Sequence, residues 1–227
     1  MSALDDMTTS LRESVGTALI QERPFPVVAP TTMEDAAATV RAASEHGFRV
    51  LTLGSGSSFS ADFAVRHADT VAVMMAKLVG VSALSPFSMR VLSGTPVRAV
   101  LRGAPDNARK TIGGWIAGGR GGLQDAVFRA LWRQVRFAEV LDSRGEMRRF
   151  ASSTQTGSGD TWPAEVLIGS RGRSGAIIAL ELAPPVPVSA PDTDDEPRAA
   201  RSDGYGEAVI LRRELELVMD GDGVFQW

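Results

Sequence analysis

Apolar residues recur at three- and four-residue intervals in two stretches near the N-terminus. Leu4, Met7, Leu11, Val15, Ala18 and Leu19 predict a helix over Leu4 to Ile20, closed by Pro24 and Pro26. Met33, Ala36, Ala37, Val40 and Ala43 fall on one face of a second helix, capped by Thr31 or Thr32 after Pro30 and ended by Gly47. The pattern then changes to short apolar runs. Phe48 to Leu53, Thr70 to Met75, Val79 to Leu84 and Met89 to Ser93 read as strands. Gly94-Thr95-Pro96 turns the chain into a short helix through Leu101, and Leu123 to Trp132 is helical. Val135 to Asp142 and Glu146 to Phe150 form a hairpin across Ser143-Arg144-Gly145. After a polar loop, Ala151 to Asp160, a helical turn at Trp162 to Ile168 and a strand at Gly175 to Leu182 follow. Pro184 to Gly204 mixes Pro, Asp and Ala with almost nothing apolar after Val188 and is predicted to be a disordered linker. Tyr205 to Met219 regains apolar character and is expected to dock back or onto a partner.

A hydrophobic fraction of 44% against 22% charged residues supplies a core for one domain with appendages. The charge is unevenly placed. Of 24 basic and 27 acidic residues, the stretch from Pro191 to Trp227 holds 4 and 10, which leaves 20 against 17 before it. That excess is too mild for a nucleic-acid face. The absence of cysteine excludes disulfides, thiolate-bound iron–sulfur clusters, a cysteine nucleophile and thiolate attachment of a cofactor. His46 and His67 are too few for a His-rich metal site, and no metal is expected. Met1 to Gly16 lacks the apolar run of a signal peptide, and the longest clean apolar run, Val71 to Ala76, is too short to span a bilayer. The expected location is cytoplasmic, with no transmembrane segment.

Three segments rich in glycine and hydroxyl groups carry the candidate chemistry: Gly54 to Ser58, Thr111 to Gly122, and Gly169 to Gly175. Read as loops, they allow backbone N–H groups to approach an anion with no Cβ in the way, and a diphosphate takes such donors from more than one loop. Taken singly, each is equally a tight turn or a site of close backbone packing. No G-x-G-x-x-G opens a helix after the first strand, and no G-x-x-x-x-G-K-[ST] is present, so neither a Rossmann fingerprint nor a P-loop is supported.

The order of these segments resembles the flavin-binding domain shared by vanillyl-alcohol oxidase, p-cresol methylhydroxylase and the D-lactate and glycolate dehydrogenases. Pro30-Thr31-Thr32-Met33-Glu34-Asp35 through Gly47 is similar to the family's opening helix. Leu53-Gly54-Ser55-Gly56-Ser57-Ser58 is similar to its first loop, and Gly94-Thr95-Pro96-Val97 to its later turn. Thr111-Ile112-Gly113-Gly114 reproduces a family signature, continuing as Trp115-Ile116-Ala117-Gly118-Gly119. Gly169-Ser170-Arg171-Gly172-Arg173-Ser174-Gly175-Ala176-Ile177 is similar to the closing motif. The wording of the turn and the glycine run is nearest the flavin subunit of multisubunit glycolate oxidase.

The resemblance implies an α+β, two-lobed FAD-binding domain over residues 26–184, without a substrate-capping domain. An N-terminal helical extension (1–25), an acidic Pro-rich linker (185–204) and a C-terminal segment (205–227) flank it. It implies FAD as cofactor, with Gly54, Ser55, Gly56, Ser57 and Ser58 around the diphosphate. Thr111, Ile112, Gly113, Gly114, Ala117 and Gly118 would line the path toward ribose and ring, and Gly175 and Ile177 would present backbone to the flavin or adenine. It further implies an oxidoreductase subunit acting on a small 2-hydroxy acid such as glycolate, partnered by other subunits. Departures are a Leu53 where the family often has a basic residue, a short Val97 to Lys110 and a short Ala151 to Trp162. These keep a second reading open, a cofactor-free relative serving as an assembly subunit, and a third, a homodimeric oxidase or reductase. Catalytic residues do not carry over.

Other residues take plainer readings. His67 is read as a surface histidine and His46 as a helix-end residue that complements the dipole. Arg171 and Arg173 are candidate anion ligands or solvated loop cations. Arg144, Arg148 and Arg149 form the wet face of the hairpin. Trp115 and Trp132 are read as core anchors ahead of ring-stacking residues.

Overall fold

The computed structural model describes residues 2–22, 25–56, 69–101, 110–119, 126–153 and 162–183. Helix α1 (Ala3–Val15) opens with a capping box, in which Ser2 Oγ accepts from the Asp5 N–H and the Asp5 carboxylate accepts from the Ser2 N–H. It stops short of the predicted Ile20 because Gly16 turns the chain at φ +49. One 3₁₀ turn later the chain becomes a strand, β1 (Leu19–Gln21). Helix α2 (Met33–Glu45) matches its predicted start and stop. Thr32 and Asp35 form a second capping box, and His46 is the C-cap with Gly47 beyond it at φ +69.

Two sheets divide the described residues into two lobes. The smaller contains β1, β2 (Val27–Val28), β3 (Arg49–Leu53) and β4 (Thr70–Met74) in the order β1-β2-β4-β3; β2, β4 and β3 run parallel, and β1 is antiparallel to β2. The larger contains β5 (Val81–Ser85), β6 (Ser88–Leu92), β7 (Val135–Leu141), β8 (Met147–Ala151), β9 (Trp162–Pro163) and β10 (Ala176–Leu182). Its order is β5-β6-β10-β7-β8-β9, antiparallel except for the β8–β9 pair. The helical turn predicted at Trp162 is thus a short strand followed by a 3₁₀ turn over Ala164–Leu167.

Strand β10 lies between two cores, which explains why Ala176 to Leu180 is an unbroken apolar run. Ile178 and Ala179 join Met7, Leu11, Val40, Val50 and Val73 of the first lobe. Ile177, Leu180 and Leu182 join Ile112, Ile116, Phe128 and Phe150 of the second. The larger sheet is covered on this side by three short helices, α3 (Val97–Val100), α4 (Ile112–Gly118) and α5 (Ala126–Trp132). Trp115 meets Phe128 edge-on at 5.4 Å, and Phe128 stacks on Trp132 at 6.5 Å, so both tryptophans are core anchors. The β7–β8 hairpin carries its arginines in ion pairs. Arg148 pairs with Asp142 and Glu146, while Arg149 pairs with Glu181 and lies over the Phe137 ring at 3.8 Å. Among the described residues no helix is long and apolar enough to cross a membrane. Ser57, Ser58, His67, most of the Ala151 to Asp160 loop, the linker and Tyr205 to Met219 lie outside the described residues.

Candidate functional site

Thr111 to Gly122, expected to be a loop, forms helix α4 over Ile112–Gly118. Thr111 supplies the N-cap, its Oγ1 accepting from the Gly114 N–H at 3.2 Å, and Gly119 ends the helix in the left-handed region at φ 56. Glycine costs a helix interior about 1 kcal/mol per residue relative to alanine. Against that, Ile112, Trp115 and Ile116, at i, i+3 and i+4, are all buried in the second core. Each such side chain contributes about 1.5–3 kcal/mol on burial, so tertiary packing outweighs the poor propensity.

The seat of α4 is the turn that follows β6. The Ile112 N–H donates to Thr95 O and the Gly113 N–H to Ser93 O, both at 2.9 Å, while the Ser93 N–H donates to Ile178 O of β10 at 2.8 Å. Thr95 is itself fixed, its Oγ1 bonded to both the N–H and the C=O of Gly80 at 3.1 Å. A Cβ on Gly113 would lie 2.7 Å from Ser93 Cβ. Ser93 and Thr95, which seat the first two amides of α4, were not among the site residues expected from the sequence. Their signal was Gly94-Thr95-Pro96, whose partner in space lies some twenty residues on. Ser93 Oγ is buried and has no hydrogen-bond partner among the described residues.

Both other glycine segments close on the same helix. Strand β3 runs out into Gly54-Ser55-Gly56, and a Cβ on Gly54 would lie 2.5 Å from Thr111 Oγ1 and 3.3 Å from Gly114 Cα. The bend therefore touches the first turn of α4 backbone to backbone. At the far end, a Cβ on Gly119 would lie 2.6 Å from Gly169 Cα. There the Gly169 N–H donates to Ile116 O at 3.0 Å and the Arg171 N–H to Ala117 O at 2.7 Å. Arg171 adopts φ 53 there, and both Arg171 and Arg173 are exposed.

These contacts give α4 two unlike faces. Ile112, Gly113, Trp115 and Ile116 are buried. Gly114 and Gly118 are exposed and Ala117 is half-buried, a strip with almost no side chain that begins beside the half-buried Gly54, Ser55 and Gly56. A Cβ on Gly56 or Gly118 would meet nothing among the described residues within 4 Å. Gly175 and Ile177 are not on this strip: both are buried, with the Ile177 side chain in the second core.

Many amides of the second and third segments have acceptors within the fold. The N–H groups of Ile112, Gly113 and Gly119 donate to backbone carbonyls, and that of Gly114 to Thr111 Oγ1. Those of Gly169, Ser170, Arg171, Arg173 and Gly175 also donate to carbonyls, and that of Gly172 to Ser170 Oγ. An amide already bonded to an internal acceptor is a poor donor to a ligand. The glycines of the second and third segments therefore provide close approach. The bend beginning at Gly54 lies beside the first turn of α4. A bare helix strip beside such a bend fits a ligand that is part anionic and part flat, because planar rings reach van der Waals contact where no Cβ intervenes.

The comparisons point the same way. Residues 24–151 match the model of a family described as FAD binding domain, a span that includes the Gly54 bend and α4. No curated protein matches the sequence. Among solved structures, a variant of Phl p 4, a glucose dehydrogenase, aligns with a TM-score of 0.56 at 17% identity, over 80% of this chain and 44% of that one. Wild-type Phl p 4.0202, a glucose dehydrogenase, aligns with a TM-score of 0.52 at 16% identity over the same shares. Alkyldihydroxyacetonephosphate synthase aligns with a TM-score of 0.54 at 17% identity, over 73% of this chain and 32% of that one. The chain thus spans less than half the length of these structures. With the ordered segments, the two-sheet architecture and the matched residues in agreement, this chain belongs to the FAD binding domain family, its fold is of the vanillyl-alcohol oxidase type, and its cofactor is FAD.

Proposed function

We propose that this chain is the FAD-binding part of a flavin-dependent oxidoreductase whose substrate-covering half is supplied by another polypeptide or domain, and that the substrate is a small 2-hydroxy acid such as glycolate. The observation that carries the reading is the open strip Gly114–Ala117–Gly118 beside the Gly54 bend. When bound, FAD accepts a hydride equivalent from the substrate carbon. The protein residues bind and orient. Gly54 to Ser58 would hold the diphosphate, and the strip of α4 would give the flat portion a surface without side chains. Neither Gly54–Gly56 nor Thr111–Gly118 contains an ionisable side chain, so proton transfer belongs to groups outside these segments. That agrees with a covering half that brings its own acid–base residues. The choice of a 2-hydroxy acid and of partner subunits rests on the resemblance of Gly94-Thr95-Pro96-Val97 and the following glycine run to the glycolate oxidase flavin subunit.

The test is to purify the chain alone and with the chains that copurify, then extract flavin after denaturation. About one FAD per chain is expected, and glycolate or lactate should bleach the flavin of the assembled form. Colourless protein in both preparations overturns the reading in favour of a cofactor-free assembly subunit.

A further inference from the structure

The larger sheet ends on an edge that is both fixed and uncharged. Among the described residues, β5 pairs only with β6, and all five of its residues are exposed. Its two ends are pinned. At one, Thr95 Oγ1 is bonded to the N–H and the C=O of Gly80, both at 3.1 Å. At the other, Ser85 Oγ accepts from the Phe87 N–H and shares a hydrogen bond with Ser88 Oγ, both at 3.0 Å. Phe87 is 69% exposed on this closed turn. Edge strands ordinarily carry lysine, an inward charge or a covering element, because unpaired N–H and C=O groups recruit further strands. Here the outward row of backbone groups is held in place, and no element of the described residues covers it.

The sequence of the edge is complementary to itself. An antiparallel pair of identical strands is two-fold symmetric, so a charge near the axis would meet its own kind. No charged residue lies between Leu78 and Met89, so that cost is absent. The same absence leaves a partner of opposite charge nothing to recognise. Of the six large apolar side chains exposed among the described residues, four are Val79, Val81, Leu84 and Phe87. With an axis at Ala83, Val81 of each copy faces Ser85 of the other, and Val79 comes to the end that carries the other's Phe87. Lys77, the nearest charge on that side, falls toward Met89 of the other copy and not toward a second lysine.

We infer that β5 pairs antiparallel with β5 of a second copy of this chain, about a two-fold axis at Ala83, which joins the two larger sheets into one. Backbone bonds supply the affinity, and Phe87, already fixed in its turn, is the side-chain anchor. Val79 to Phe87 gives nine residues a side against roughly 20–30 in a standard interface, so the dimer is weak, with a dissociation constant of about 10–100 μM. The pairing does not depend on which substrate the flavin serves.

The experiment is sedimentation velocity on the full chain as purified, from low to high micromolar concentration, together with cysteine cross-linking. The natural chain should pass from monomer to dimer over this range, and Leu84→Lys should weaken the dimer at least tenfold. Because the natural chain has no cysteine, Ala83→Cys places a single thiol on the axis, where it meets its own counterpart. With oxidised glutathione as oxidant, its disulfide-linked dimer should form at least tenfold faster than that of Met147→Cys, a control on an exposed position of β8. A natural chain that stays monomeric throughout overturns the inference, whether a copurifying chain or the protein's own remaining segments cover the edge. So does a dimer indifferent to Leu84→Lys, or equal cross-linking of the two cysteine variants. If Leu84→Lys does not fold, the cross-linking comparison decides alone. FAD content is read in parallel, so failure of this inference is distinguishable from failure of cofactor binding.

Discussion

Replacing Gly94 with alanine is expected to leave little or no folded protein. A Cβ at this position would lie 2.0 Å from Met75 O and 2.7 Å from Leu78 O, and both are backbone atoms with no rotamer to escape into. The Gly94 N–H already donates to Leu78 O at 2.9 Å, so the overlap falls across a bond the turn needs. Its neighbours Ser93 and Thr95 hold the first two amides of α4, and displacing them disconnects the helix from β10. A loss above about 4 kcal/mol follows, a large share of the roughly 5–15 kcal/mol that stabilises a typical domain. Soluble yield and urea unfolding measure it. Gly118→Ala is the matched control. Its Cβ meets nothing among the described residues within 4 Å, and the better helix propensity should raise stability by up to about 1 kcal/mol. A Gly94→Ala protein unfolding within about 1 kcal/mol of the natural chain would show that the turn packs otherwise than described.

Gly54→Ala addresses function more than stability. The new methyl would sit 2.5 Å from Thr111 Oγ1, which caps α4 through the Gly114 N–H, and 3.3 Å from Gly114 Cα. Part of the strain is relieved by rotating Thr111 away, at the loss of the cap, about 1 kcal/mol. The remainder separates the bend from the helix. Ligand geometry tolerates such a shift poorly, so FAD affinity should fall at least tenfold, about 1.4 kcal/mol, while the fold survives. Adding Thr111→Ala removes the closer overlap and leaves the 3.3 Å one, so the double variant should recover part of the lost affinity. Titration of the apoprotein with FAD decides the matter. Natural affinity in Gly54→Ala would remove the bend from the cofactor's surroundings.

What the sequence made legible depended on whether the cause was local. Helix α2 could be bounded because its N-cap Thr32, the Gly47 just past its C-cap and its apolar stripe all lie within one stretch. Strand β10 was legible for the same reason, as an apolar run burying both faces. Strands β1 and β2 were not, since they are three and two residues long and exist by pairing, β2 with β4 and β1 with β2. Helix α4 is the instructive case. The spacing of Ile112, Trp115 and Ile116 was in plain view, yet glycine content argued for a loop, and the core that rewards burial is assembled from distant residues. The same holds at the candidate site. The order of the three glycine segments could be read, and their mutual contact through α4 is what the structure adds. The acceptors that occupy the amides of Ile112 and Gly113, however, belong to Thr95 and Ser93, which no local pattern pairs with them.

The two-faced character of α4 has an optical consequence. Trp115 lies on its hidden side, in edge contact with Phe128, and Trp132 stacks behind that ring. A helix is about 10 Å across, so a flavin resting on the opposite strip sits within resonance energy transfer range of an indole fixed in the interior. If the flavin takes the proposed place, its binding should dim an intrinsic tryptophan signal, with no label attached.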